Sequence, residues 1–322
     1  MNWVNINTSI SDIPLYGCIY NASGSRCTSM NELTLLSESQ SAAVVSKSCT
    51  LEYRDGNPGK RYHISRTNNT INSTGLANFG FRYYLSDNPI IQSDKPFFLS
   101  VAGMTSEDNL TIIKGAEYVL SQGVHNAIEL NLSCPNICGK PQMGYDFDAS
   151  RELLRKIYEQ RETQNNVPIG LKLPPYLDPS LVGSMSDIIR EFPIGFATCI
   201  NRVGNGLMID IDRESTIIHP NNGLGGLGGP NIKPVALANV WMFHRELPNL
   251  DIVGCGGITN GDDVFEHILC GASAVQVASI LMKEDVNCFD RLKSELLHVM
   301  LHKKYNDLQS FRGRLQQRCV SD

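Results

Sequence analysis

Eight short apolar runs, most of them followed by a helical pattern, constrain this chain more than any other feature. They are IYNASG (19–24), AAVVSKS (42–48), FFLSVAG (97–103), AIELNLSC (127–134), PIGLKLPP (168–175), GFATCINRV (195–203), DIVGCGG (251–257) and AVQVASI (274–280). The runs are continuously apolar instead of alternating, as parallel strands buried on both faces are. Helical patterns lie between most of them: 107–122, where Ser106 is placed to cap and acids fill the first turn, then 148–160, 179–191, 233–246, 261–269 and 286–303. Strand–helix alternation with eight strands predicts an α/β fold, a single (β/α)8 TIM barrel; a doubly wound sheet is the alternative. Residues 49–94, polar and turn-rich, and 204–232, which include NGLGGLGGP, interrupt the alternation. In a barrel such insertions build the active-site face. No linker, repeat or low-complexity tract divides the chain, so residues 1–322 are read as one domain.

A net charge of −5 without any block of like charges argues against a nucleic-acid partner. The opening MNWVNINTSISDIPLYG lacks a basic n-region and an apolar h-region. No apolar run approaches the roughly 20 residues of a membrane span. The expectation is a soluble, cytoplasmic protein without a membrane partner. Ten cysteines are scattered with no CxxC pair, which fits a reducing compartment and predicts no metal site.

In a barrel the C-terminal ends of the strands point into the active site. Those ends carry Asn21, Ser23 and Gly24; Lys47 and Ser48; Asn131 and Cys134; Lys172; Asn201 and Arg202; Gly256 and Gly257; Ala278 and Ser279. Apolar strands that repeatedly finish in amide, ammonium, hydroxyl or glycine indicate a ligand site. Lys47 and Lys172 lie within otherwise apolar runs, where an unpaired charge is costly, so an anionic ligand is expected beside them. Gly225, Gly226, Gly228 and Gly229 form GGLGG, and CGG ends the seventh run. Barrels often bind phosphate between the loops after strands seven and eight, on bare backbone N–H groups. No GxGxxG follows the first run and no GxxxxGK[ST] occurs, so neither an NAD-binding nor a P-loop motif is present. Cys134 roots a loop stiffened by Pro135, Gly139 and Pro141. It is the candidate acid/base group of ELNLSCPN, and a thiol acting as a simple proton acceptor needs no histidine partner.

These blocks together resemble the class 1A dihydroorotate dehydrogenases, the FMN-containing barrels of pyrimidine synthesis. The likeness runs through NASG (21–24), SKSCT (46–50), RDGNP (54–58), INSTGL (71–76), ELNLSCPN (129–136), GKPQ (139–142), LKLPPY (171–176), VGNGL (203–207), GGLGG (225–229), ALAN (236–239), CGG (255–257), GASAVQV (271–277) and FRGR (311–314). The resemblance implies that dihydroorotate lies flat on FMN, with fumarate as oxidant at the same site in turn, in a homodimer. It implies Cys134 as the base that takes the C5 proton while hydride leaves C6 for the flavin. It implies a substrate site of Lys47, Asn72, Gly75, Leu76, Asn131, Asn136 and Asn201, to which Arg202 is added by position. It implies an FMN site of Ala22, Ser23, Lys47, Ser48, Asn72, Asn131, Lys172, Ile200, Gly229, Cys255, Gly256, Gly257, Ala278 and Ser279. Amides suit a diamide ring because each offers a donor and an acceptor without charge.

Four positions depart from the family pattern. Thr74 stands for Met, Arg202 for Ser, Asn221 for Lys and Ala278 for Gly. Arg202 brings a cation and a long side chain beside the expected substrate, able to clamp a carboxylate or to fill the site. Two further readings therefore stay open: an FMN oxidoreductase acting on another small anionic substrate, and a flavin-binding protein with weak turnover.

Overall fold

The computed structural model describes residues 4–133, 142–161 and 167–317. Each of the eight apolar runs contains a strand: β1 Ile19–Asn21, β2 Val44–Val45, β3 Phe97–Val101, β4 Asn126–Asn131, β5 Ile169–Leu173, β6 Phe196–Cys199, β7 Asp251–Cys255 and β8 Ala274–Val277. They form one parallel sheet in the spatial order β1-β8-β7-β6-β5-β4-β3-β2. The (β/α)8 barrel expected from the sequence is thus the fold, and the doubly wound sheet is excluded.

A barrel must still join its first strand to its second, and here both are very short. Backbone contributes one bond, from Ala42 N–H to Ile19 C=O (2.9 Å). A side chain completes the seam. The Asn21 amide donates to Val45 C=O (2.7 Å) and accepts from Val45 N–H (2.9 Å). It copies the two-bond pattern of a strand neighbour, and Asn21 is fully buried. Asn21, counted from the sequence among the ligand-facing strand ends, is therefore a structural residue. An antiparallel hairpin, Thr8–Ile10 with Ile13–Leu15, packs its Ile10, Ile13 and Leu15 into the core. Its turn reaches the start of β7 through Ser11 N–H and the Asp251 carboxylate (2.8 Å), on the side opposite the strand ends.

The helices are α1 Met30–Glu38, α2 Phe81–Leu85, α3 Ser106–Leu120, α4 Phe147–Gln160, α5 Pro179–Arg190, α6 Lys233–Glu246, α7 Gly261–Leu269, α8 Ser279–Glu284 and α9 Asn287–Lys303. α4 buries Leu153, Leu154 and Ile157, as its spacing predicts. The cap of α3 is Thr105, not Ser106. Thr105 Oγ1 accepts from Asp108 N–H, and the Asp108 carboxylate accepts from Thr105 N–H, so the capping box lies one residue earlier. Ser279 and Ile280, read from the sequence as the end of the eighth strand, begin α8 instead.

The two insertions meet. Strands Val203–Leu207 and Leu224–Gly228 pair with each other, and the second pairs with Thr70–Asn72, which pairs with Tyr62–Ile64. The GGLGG segment is consequently the inner strand of a four-stranded antiparallel sheet, with Gly226 opposite Asn72 and Gly228 opposite Thr70.

His267 on α7 is buried behind the end of β7. A carbonyl can only accept, so its Nε2–H donates to Gly256 C=O (3.1 Å), and Nδ1 has no hydrogen-bond partner. Burial pushes its pKa down to about 4. Two predictions follow from these packing facts. Replacing Asn21 by Ala strands two buried backbone groups of Val45 and should cost about 2–4 kcal/mol in urea unfolding, as buried unpaired groups do. An unchanged midpoint would show that the seam does not need the amide. Second, an unfolded His267 takes up a proton near pH 6.5, and the folded one does so only near 4. Its contribution is complete above pH 6.5 and is lost as pH falls from 6.5 to 4, by about 3 kcal/mol. Urea midpoints across that window should fall less steeply for His267→Gln than for the native chain.

Candidate active site

A chain of polar side chains runs through the barrel interior. Glu129 on β4 accepts from Thr198 Oγ1 on β6 (2.8 Å) and from Gln276 Nε2 on β8 (2.7 Å). Gln276 Oε1 accepts from Lys172 Nζ on β5 (2.7 Å). An ammonium only donates and a carboxylate only accepts, so the amide has one possible orientation. All four residues are buried. The sequence led to the expectation that Lys172 needs a bound anion. The fold also provides a negative charge within the protein: Glu129 is linked to Lys172 through a single neutral amide, although Glu129 Oε1 has no hydrogen-bond partner among the described residues. Lys47, placed by the sequence inside the second strand, stands beyond it in the following loop, where its N–H donates to Cys27 C=O (2.8 Å).

Above this chain two clefts adjoin. The first opens at the strand ends, above Lys172. Ala22, Ser23, Lys172, Ile200, Gly229, Cys255, Gly256, Gly257, Ala278 and Ser279, all expected from the sequence, line it. Among the described residues its charged lining groups are Lys172 and Arg202, both cationic. Gly229 (φ 88°) and Gly257 (φ 77°) adopt left-handed backbone, and a Cβ there would overlap Asn68 C=O and the Lys233 backbone respectively. Glycine is thus required where the walls close in, which leaves bare backbone facing a cationic hollow. These residues fit a cofactor that ends in phosphate.

The second cleft is lined by Ser23, Gly24, Ser25, Lys47, Ser48, Asn72, Thr74, Leu76, Asn131, Asn201 and Arg202. It shares Ser23, Gly24, Asn201 and Arg202 with the first. Its amides are fixed in orientation. Asn131 Nδ2 donates to Ser48 Oγ (3.1 Å), which also bonds Ser23 Oγ and Ser100 Oγ (2.9 Å each). Asn131 Oδ1 accepts from Asn201 Nδ2 (3.2 Å) and from Ser133 N–H (3.0 Å). Asn72 arrives from the other direction, on the sheet formed by the two insertions. Gly75 does not line the cleft; its carbonyl accepts from the Arg54 guanidinium (3.4 Å), and its left-handed turn presents Leu76. Cys134 and Asn136 lie outside the described residues.

Sequence reasoning missed Gln276, Val277, Ile232 and Ile258 as lining residues. Gln276 left a signal: a lone amide between valines in a buried run. Among the described residues, no group of three or more His, Cys, Asp or Glu could hold a metal ion.

The sequence profile of the family described as dihydroorotate dehydrogenase matches residues 5–300. The chain is 45% identical over 300 residues to "Dihydroorotate dehydrogenase (fumarate)" of Trypanosoma cruzi, covering 92% of this chain and 93% of that one. It is 44% identical over 318 residues to the protein of the same description from Saccharomyces bayanus, covering 97% and 98%. Among solved structures, a DHODH from Eimeria tenella in complex with ferulenol superimposes with a TM-score of 0.78 at 16% identity, over 96% of this chain and 88% of that one, which is a likeness of fold. With its barrel, its paired clefts and these relatives, the chain belongs to the flavin-dependent dihydroorotate dehydrogenase family, in its fumarate-type class 1A branch.

Proposed function

We propose that this chain oxidises dihydroorotate to orotate with FMN as its flavin and passes the electrons to fumarate. The observation that carries the reading is the junction of the clefts: a cationic, glycine-walled hollow adjoins an amide-lined one, and Asn201 belongs to both. FMN, when bound in the first cleft, supplies the two-electron acceptor that side chains lack.

Each residue then has a task in its own chemistry. Asn72, Asn131 and Asn201, with Asn136, hold a planar diamide ring by neutral donors and acceptors. Because the Asn131 amide is fixed by Ser48, Asn201 and Ser133, it meets the ring preorganised. Lys47, with the turn at Gly75 and Leu76, takes the substrate carboxylate, and the same groups serve fumarate. Cys134 Sγ accepts the C5 proton. Lys172, held at the head of the interior polar chain, offers positive charge to the base of the cofactor cleft as negative charge develops there. The backbone and side chains at Ala22, Ser23, Ser48, Ile200, Gly229, Cys255, Gly256, Gly257, Ala278 and Ser279 would hold the cofactor.

Among the described residues no helix is long and apolar enough to cross a membrane. The buried, unpaired thiols of Cys18, Cys27, Cys49, Cys199, Cys255, Cys270 and Cys288 support a reducing, cytoplasmic setting. Leu207, Ile209 and Ile211, exposed along the second insertion, support a homodimer that covers them.

The purified protein should be yellow and release FMN and not FAD, and anaerobic mixing with dihydroorotate should bleach the flavin. A colourless protein that cannot be reconstituted, or a flavin that dihydroorotate leaves oxidised, would end this reading. Cys134→Ser should retain FMN and reduce about 10²–10⁴-fold more slowly at neutral pH, the usual worth of a positioned base. Its residual rate should climb with pH. A native rate in that variant would remove Cys134 from the chemistry.

A further inference from the structure

Arg202 was placed by its sequence position beside the substrate. It lines both clefts, and its guanidinium extends toward the cofactor side. Nη1 is 3.5 Å from Thr70 Oγ1, and Thr70 is the residue paired with Gly228. A Cβ built on Gly228 would be 3.5 Å from Arg202 Nη1 and 3.5 Å from Ser279 Oγ. The guanidinium and the Ser279 hydroxyl therefore flank the same glycine, at the mouth of the loop after β8. Tyr62, opposite Asn72 on the far strand of the same sheet, has a buried hydroxyl whose pKa burial raises and the Arg202 charge lowers.

The backbone explains the direction. Asn201 and Arg202 lead into the extended strand Val203–Leu207, where successive side chains point to opposite faces. Asn201 Oδ1 accepts from Arg202 N–H (2.9 Å), while its Nδ2 reaches Asn131 in the amide cluster. Asn201 thus turns its amide to the substrate side, while Arg202 lies on the border of the two clefts.

We infer that Arg202 is a binding residue for the cofactor's phosphate. This rests on the proposal that FMN occupies the first cleft. A phosphate monoester carries about −1.5 to −2 charges at neutral pH, which backbone N–H dipoles neutralise only in part. Two lysines stand nearby. Lys172 is held by Gln276 at 2.7 Å, and Lys233 lies between Asp263 (2.7 Å) and Glu266 (2.8 Å). Arg202 reaches the glycine-walled end with a planar fork suited to two phosphate oxygens.

The test compares two flavins that differ only in the phosphate. Flavin is removed from the purified protein and titrated back as FMN or as riboflavin, with binding read from flavin fluorescence. In Arg202→Ser and Arg202→Gln, FMN affinity should fall about 10- to 100-fold, the range for a hydrogen bond to a charged group. Riboflavin affinity should stay within about twofold, and Arg202→Lys should recover part of the FMN affinity. Equal losses for both flavins, or no loss for either, would overturn the inference. So would weakened orotate binding, by difference spectroscopy of the FMN-loaded variant, with FMN affinity intact. A native chain that binds neither flavin would instead bring down the proposed function itself.

Discussion

Closing the barrel is the constraint on which everything else rests. Eight parallel strands buried on both faces leave no edge that water could satisfy, so the sheet must meet itself. The two strands at the junction, Ile19–Asn21 and Val44–Val45, are too short to do this by backbone alone. Asn21 serves as the missing strand segment, with its amide bonded to both polar groups of Val45. The same seam places Ala22 and Ser23 at one wall of the cofactor cleft and Lys47 and Ser48 at a wall of the other. Ser23 and Ser48 join across it by a 2.9 Å hydrogen bond. Closure and the junction of the clefts are therefore one event.

Beneath the clefts, the barrel interior departs from an all-apolar core. Glu129, Thr198, Gln276 and Lys172 come from four different strands and form one connected set. Such a set costs desolvation energy that hydrophobic packing would not, so its benefit is positional. It aims a cation upward from a rigid floor at the cofactor cleft while its counter-charge stays buried. At the rim, Ser48 and Asn201 hold the Asn131 amide in the same manner. A site built on strand ends and locked by neighbours keeps its geometry before any ligand arrives.

The two insertions supply what the barrel alone cannot. Asn72 enters the substrate cleft because Thr70–Asn72 pairs with the glycine-rich Leu224–Gly228. That pairing also brings Thr70 to Arg202 and Gly228 toward Ser279. The GGLGG glycines thus do two things: Gly225, Gly226 and Gly228 form a strand, and of the four Gly228 and Gly229 reach the cleft.

Local sequence settled the eight strands, most of the helices and the identity of most lining residues, because each depends on hydrophobic period, capping chemistry and strand ends within a few neighbours of each other. The family motifs added the roles of the asparagines and of Cys134. Partners distant in the chain were not legible. Asn21 read as a ligand residue because its partner, Val45, lies 24 positions away, and only the closed seam brings them together. Lys172 read as awaiting an anion because Glu129 and Gln276 stand 43 and 104 positions off in the chain. Arg202 read as a substrate residue because its neighbour Asn201 is one, yet the sheet built from two remote insertions brings its guanidinium to Thr70 and Gly228 as well. Short-range pattern determined what this chain is made of. Which charge meets which partner was left to the tertiary structure, because electrostatic and hydrogen-bond pairing depends on distance in space and not along the chain.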